Sequence, residues 1–247
     1  MIPKILHYCW FGPKEIPEKE KEYLKTWEQF CPDYQIVRWS EENFDINSNQ
    51  YVKEAYEHKK FAFVTDYVRL YALYHYGGIY MDTDVEVCRN LDPLLGMPAF
   101  SGFESDDRIP TGTMGAEKEN PWIALLLSDY ENISFIRPNG TMDLQTNTAR
   151  ITETTLKNYQ IALEGKIIET KDFTMLPFDY LCAKSWESGE IHKTENTYTI
   201  HHFANSWQSD KAKAYGNFRR RIKKSRNPIC RMLDVLLDKI VKLAKGK

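Results

Sequence analysis

One stretch constrains the fold more than any other: FAFVTDYVRLYALYHYGGIYMDTDVEV, from Phe61 to Val87. Ala62, Tyr67, Val68, Tyr71 and Tyr74 recur near helical spacing, which predicts a helix over Phe61 to Tyr76. Gly77 and Gly78 follow, and a glycine past the last turn adopts the positive φ that ends a helix. "IYMD" then reads as a brief buried strand. A long apolar helix that passes within two residues into a buried strand calls for a layered α/β arrangement around a sheet. The N-terminal third agrees. "KILHYCWF" reads as a first strand, Glu18 to Phe30 as a charged helix and "YQIVRWS" as a second strand, so the chain begins β-α-β with parallel members.

Downstream the signals weaken. Pro93 to Gly140 is rich in Gly, Pro and Asp, and irregular loops around one helix near Trp122 to Tyr130 are expected there. "TYTIHHFANSW" supplies a late strand. From Lys211 the chain is expected to be helical, with Ile229, Met232, Leu233, Leu236, Ile240 and Val241 along one stripe. The expected division is an α/β domain over 1–210 and a basic, amphipathic helical tail over 211–247.

Charge separates the same two parts. Formal net charge is −2, yet residues 211–247 carry 13 Lys and Arg against 2 Asp, while the rest carry 20 against 33 Asp and Glu. The overall balance argues against a nucleic-acid binder, and the basic tail is expected to meet an anionic membrane surface. The five cysteines (Cys9, Cys31, Cys88, Cys182 and Cys230) are scattered and form no C-x-x-C pair. Neither a disulfide framework nor a zinc–cysteine site is indicated. No apolar run reaches the roughly 18 residues of a membrane span, and "MIPKILHYCWFG" is too short and aromatic for a signal segment. The expected location is cytoplasmic, peripheral at the inner face of the cell membrane.

Chemistry concentrates near the Gly-Gly pair. Ligands of open α/β sheets bind at the carboxyl ends of strands, where Asp82 and Asp84 fall. Alternation along an extended chain puts both carboxylates on one side, with Tyr80. Two hard oxygen ligands suit Mg²⁺ or Mn²⁺ shared with substrate phosphates; a solvated polar turn is the plainer alternative. Asp66 and Arg69, three apart, share one face of an otherwise apolar helix, where a charged pair is costly to bury without a partner. Arg69 offers a fork suited to phosphate or sugar hydroxyls. Trp10 and Phe11 end the first strand, either as core or as a platform for a planar base. Of His201 and His202, adjacent on a strand, one alone can enter a site.

Three blocks, "IPKILHYCWFG", "FAFVTDYVRLYALYHYGGIYMDTDVEV" and "HHFANSW", together resemble the D-x-D glycosyltransferases of family 32. That family includes a yeast Golgi α-1,6-mannosyltransferase and bacterial capsule and lipopolysaccharide transferases; the clostridial glucosylating toxins are more distantly similar. The resemblance spans residues 2 to 207. It implies a GT-A fold, a mixed sheet with flanking helices. It also implies a nucleotide-sugar donor, a divalent metal (Mn²⁺, or Mg²⁺) and retention of anomeric configuration. By the same resemblance Trp10 stacks on uracil, with the backbone of Cys9 and Phe11 at the base edge. Asp66 and Arg69 hold the transferred sugar, and Tyr80 lines the nucleotide pocket. Asp82 contacts the donor and the metal shell, Asp84 ligates the metal directly, and His202 is the C-terminal ligand, with His201 the alternative. Ser206 and Trp207 lie near the diphosphate. Where many relatives have a T-G-P element this chain reads "QTNTARITETTL", which places Gln145 and Asn147 at the acceptor.

The implied reaction is transfer of a hexose from a UDP-sugar to a saccharide acceptor, lipid-linked, in surface polysaccharide synthesis. Two other classes fit a D-x-D after an apolar strand. One is a haloacid-dehalogenase-type phosphatase, whose motif usually sits on the first strand and is followed by a G-D-x-x-x-D element not found here. The other is a sugar- or membrane-binding module without catalysis.

Overall fold

The computed structural model describes residues 1–105, 107–109, 112–204 and 222. Its parallel part is built from β1 (Ile5–Cys9), β2 (Gln35–Trp39) and β3 (Gly78–Met81), with β1 between the other two. Helix α1 (Glu18–Phe30) connects β1 to β2. Helices α2 (Gln50–Glu57) and α3 (Phe61–Tyr76) connect β2 to β3. The main sheet has seven strands in the order β2-β1-β3-β6-β5-β8-β7. Its other members are β5 (Ala99–Gly102), β6 (Thr113–Ala116), β7 (Ile168–Glu169) and β8 (Thr174–Leu176). Strand β6 runs antiparallel to both β3 and β5, so the sheet is mixed. A separate two-stranded antiparallel ladder joins β4 (Val85–Val87) to β9 (Thr199–His201).

The α/β class, the β-α-β start and the helix over Phe61 to Tyr76 are as the sequence implies, including the stop at Gly77, whose φ is +66°. The middle of the chain is not as expected. Two of its segments, β5 and β6, are central strands rather than irregular loops. Both are four residues long and buried along their whole length, and they use glycine and alanine where side chains from the next strand need room. A Cβ on Gly115 would stand 2.2 Å from the Phe100 ring. Strands covered on both faces show no apolar–polar alternation, so the signal that marks half-buried strands is missing.

The sheet separates two apolar clusters. On β3, Tyr80 belongs to one, while Ile79 and Met81 belong to the other. The first is roofed by α2, α3, α4 (Pro121–Ser128) and α5 (Asn147–Asn158). Val64, Val68, Leu70 and Leu73 of α3 are fully buried, each contributing about 1.5–3 kcal/mol by leaving water. The second cluster lies under α1, whose Trp27 indole donates to Val85 O at 2.8 Å and whose Thr26 hydroxyl accepts from Val87 N–H at 2.9 Å. Those two bonds fasten β4, and the turn before it, to a helix 60 residues upstream in chain order. Among the described residues, no helix is long and apolar enough to cross a membrane. The expected helical tail over 211–247, and the domain boundary at 210, lie outside the described residues apart from Ile222.

Candidate active site

Helix α3 is uncapped by any side chain at its N-terminus and depends on burial for its stability. That burial includes its charges. Asp66 and Arg69 are 8% and 5% exposed, and Arg69 Nη2 lies 3.4 Å from Asp66 Oδ1 and 3.1 Å from Asp82 Oδ1. The guanidinium also sits over the Tyr80 ring at 4.5 Å, and the Tyr80 hydroxyl donates to Asp82 Oδ1 at 2.8 Å. Arg69 thus joins the helix pair to the D-x-D turn as one buried network. Burial pushes the Asp66 carboxyl up to about 7 against the pull of Arg69. Burial also opposes the Arg69 charge, but Asp82, Tyr80 and Asp66 more than offset it.

The two aspartates converge for a reason other than strand alternation. Residues 82–84 form a turn between β3 and β4, closed by Val85 N–H donating to Asp82 O at 3.0 Å. The Asp82 N–H donates to Gly112 O at 2.8 Å, so β6 anchors the start of the turn. Asp84 points back toward the C-terminal segment. Its Oδ1 lies 3.4 Å from His201 Nε2, and its Oδ2 accepts from Ala204 N–H at 2.6 Å. Burial works against the Asp84 charge, yet His201 and the Ala204 N–H hold its pKa down at about 2. The His201 imidazole is correspondingly raised, Asp84 overcoming the effect of burial.

Asp82, Asp84 and His201 each offer a donor atom within 4.8 Å of the others, and they are the grouping of this kind among the described residues. Two carboxylates and an imidazole form a donor set that Mn²⁺ accepts, and Nδ1 of His201 is buried without a hydrogen-bond partner of good geometry. The imidazole fits so closely that a Cβ on Gly112 would stand 2.8 Å from Nδ1.

His202 is a correction. Expected as the C-terminal metal ligand, it faces the opposite side of β9, where its Nε2 meets Glu86 Oε2 at 2.8 Å. The ladder pairs Val85 with His201, which directs His201 inward and its neighbour outward. Asn147, the buried first residue of α5, lies beside Asp66, and neither polar atom of its side chain makes a hydrogen bond of good geometry. Gln145 is not brought to the carboxylates: its amide donates to Glu153 Oε2 at 2.8 Å. Cys9 is buried near Arg69, Asp82 and Tyr80, and the Phe11 ring packs edge-on against Phe44 in the core. Trp10 lines an open cleft of about 460 Å³ with Lys14, Lys21 and Arg38. Ser206 and Trp207 lie outside the described residues.

One residue escaped the sequence reading. Glu104, just past β5, has its pKa raised by burial while His201, Thr148 and Arg108 pull it down and Asp82 adds to the rise. A carboxylate in a segment taken for an irregular loop carries no signal of that placement.

Residues 17–101 match the family described as glycosyltransferase sugar-binding region containing DXD motif. Inositol phosphoceramide mannosyltransferase 3 of Schizosaccharomyces pombe is 34% identical over 142 residues, which cover 54% of this chain and 38% of that protein. The chain therefore spans well under half the length of that curated relative. An uncharacterised glycosyltransferase of Acanthamoeba polyphaga mimivirus is 24% identical and covered to 84%, as is this chain. A solved galactosyltransferase in complex with donor and acceptor sugar analogues aligns over 87% of this chain and 93% of its own, with TM-score 0.43 and 11% identity. The matched segment holds Asp66, Arg69, Tyr80, Asp82 and Asp84, so the buried network described above sits inside it. The likeness to glycosyltransferase sugar-binding regions that contain a DXD motif is thus carried by residues 17–101.

Proposed function

We infer that this chain is a metal-dependent, retaining glycosyltransferase that moves a hexose from a nucleotide sugar to a saccharide acceptor. The observation that carries the reading is the convergence of Asp82, Asp84 and His201 beside the buried Arg69. Asp84, His201 and Asp82 are the residues that would hold the ion. Mn²⁺ suits the set better than Mg²⁺, which prefers all-oxygen surroundings and keeps its waters. When bound, the ion supplies Lewis-acid stabilisation to the leaving diphosphate. The chain's own residues do the rest. Arg69 is held rigid by Asp66, Asp82 and Tyr80, so its charge is already in place when negative charge develops on the leaving group. Tyr80 orients Asp82 through its hydroxyl. Asp66 faces the transferred sugar, Asn147 beside it faces the acceptor, and Trp10 offers its ring to the base. Retention then proceeds by attack from the leaving-group face, the departing diphosphate taking the acceptor proton.

The donor is a nucleotide hexose. The motif reading favours a UDP-hexose such as UDP-galactose or UDP-glucose; a relative named as a mannosyltransferase brings mannose into the same set. That relative is also named for inositol phosphoceramide, which supports a lipid-linked acceptor. The basic composition of residues 211–247 supports contact with an anionic membrane surface at its cytoplasmic face.

Thermal-shift measurement against a panel of nucleotide sugars, with and without Mn²⁺, tests the reading, because stabilisation follows occupancy of the folded state. One donor is expected to raise Tm, and more so with Mn²⁺. Hydrolysis of p-nitrophenyl phosphate with no stabilisation by any nucleotide sugar would replace the transferase with a phosphatase.

A further inference from the structure

His201 faces the two aspartates; its neighbour His202 is held by contacts of its own. The His202 ring stacks on Tyr23 with centroids 4.3 Å apart and planes 11° from parallel. Its Nε2 meets Glu86 Oε2 at 2.8 Å. Lys184 Nζ donates to the His202 carbonyl at 3.0 Å and stands 3.4 Å from Nδ1. An ammonium cannot accept, so Nδ1 takes the acceptor role and Nε2 carries the proton toward Glu86. The three partners come from α1, from β4 and from the segment after α6 (Phe178–Leu181).

The main chain at the same place closes the candidate metal site. His202 N–H donates to Asp84 O at 2.9 Å, and Ala204 N–H donates to the Asp84 carboxylate. The ladder that aligns them has three residue pairs: Val85 with His201, Glu86 with Ile200 and Val87 with Thr199. Two short strands have little intrinsic hold on register. A slip of one residue would exchange the faces of His201 and His202, because side chains alternate along a strand. Glu86 and His202 both lie on the outer side of this ladder, so their bond opposes such a slip.

We propose that His202 is a positioning residue for the cation site: clamped by Glu86, Tyr23 and Lys184, it fixes the β4–β9 register that presents His201 Nε2 and the Ala204 N–H to Asp84. The proposal rests on the reading of Asp82, Asp84 and His201 as a divalent-cation site. It separates the two adjacent histidines into one that ligates and one that aligns.

The test is calorimetric titration of the whole chain with Mn²⁺, paired with the visible spectrum of the Co²⁺ form, which reports nitrogen ligation. His202→Ala is expected to weaken Mn²⁺ binding about tenfold, the low end of what loss of an outer partner costs a metal site, and to alter the Co²⁺ spectrum. His202→Gln, which keeps a donor toward Glu86, is expected to recover part of the loss. Glu86→Ala, at a side chain 34% exposed, gives the same direction of change if His202→Ala does not fold. His201→Ala is expected to abolish the nitrogen signature. Unchanged Mn²⁺ affinity in both His202→Ala and Glu86→Ala overturns the clamp and leaves the cation site standing. Mn²⁺ binding that survives His201→Ala but not His202→Ala reverses the two roles. Failure of the unaltered chain to bind Mn²⁺ removes the cation site and the clamp together.

Discussion

His201 Nε2 stands 3.4 Å from Asp84 Oδ1; His201 is the last residue of β9, and Asp84 is the last residue of the turn that leads into β4. A C-terminal imidazole is thereby brought to a carboxylate from the D-x-D turn, and neither is a complete site alone. Asp84→Ala removes the shared partner and leaves the rest of the turn. It is expected to abolish the Mn²⁺-dependent part of the thermal shift, worth about 2.7 kcal/mol at a hundredfold excess over Kd. A retained Mn²⁺ shift in Asp84→Ala would sink the metal assignment.

Arg69 serves two carboxylates at once, 3.4 Å from Asp66 and 3.1 Å from Asp82. Its removal takes the guanidinium from both carboxylates and leaves Asp82 with the Tyr80 hydroxyl. Arg69→Met is therefore expected to cost about 3 kcal/mol in urea unfolding, the low end for a broken buried pair. Arg69→Lys keeps the charge but loses the planar fork and the stack over Tyr80, so it should fall between. Equal stability of Arg69→Met and the unaltered chain would show that the network contributes nothing net.

The α3–Gly77–Gly78–β3 unit was legible because a 16-residue apolar helix and a glycine stop are strong local signals. That Asp66 and Arg69 share one face followed from their spacing on that helix; their burial did not. What could not be read was anything set by long-range register. Whether His201 or His202 turns inward depends on which residue pairs with Val85, and no local pattern encodes that. The D-x-D carboxylates converge by a turn, not by strand alternation, so their common direction was expected from the wrong local geometry. Helix α5 was hidden because its apolar content is low and Thr-rich; its start is set by the Thr146 hydroxyl accepting from Ala149 N–H at 3.3 Å.

Gly112 touches the site without being part of it. A Cβ there would lie 2.8 Å from His201 Nδ1, in a ring already confined by Cys182 and Asp84. Gly112→Ala is expected to displace the imidazole and weaken Mn²⁺ binding while the fold persists. Circular dichroism and calorimetry on one sample would separate the two effects, and unchanged Mn²⁺ affinity would mean that the ring can yield freely.

His7, 1% exposed on β1, gives the fold an acid-sensitive point away from the carboxylates. Burial pushes its pKa from 6.5 down to about 4, opposed by its bond to Gly77 O at 2.8 Å. The Trp39 indole donates to Nδ1 at 3.2 Å, which also requires the neutral ring. The unfolded chain takes up a proton below 6.5 that the folded chain refuses until about 4. The stabilisation is therefore complete above 6.5 and is lost as pH falls through that window, by about 3 kcal/mol in all. Asp66, held up at about 7, works in the opposite sense over the same range, so the measurement is the difference. Urea unfolding should lose more stability on acidification in the unaltered chain than in His7→Gln, and an equal slope in both would assign the acid sensitivity elsewhere.

Trp10 is the residue whose role is most directly separable from the metal. Its indole donates to Lys14 O at 2.6 Å, which fixes the ring plane at the edge of the open cleft. Lys14, Lys21 and Arg38 outnumber Glu15 along the same cleft and favour an anionic ligand there. A base stacked on an aromatic ring is held by about 1–3 kcal/mol, so Trp10→Ala should weaken nucleoside diphosphate binding about 5- to 150-fold. Mn²⁺ affinity in the absence of nucleotide should stay as it is, because Asp84, His201 and Asp82 keep all their partners. Uridine and guanosine diphosphates titrated side by side would also reveal which base the cleft prefers. Equal nucleotide affinity with and without the indole would move the base site away from the end of β1, to a surface that Trp10 does not reach.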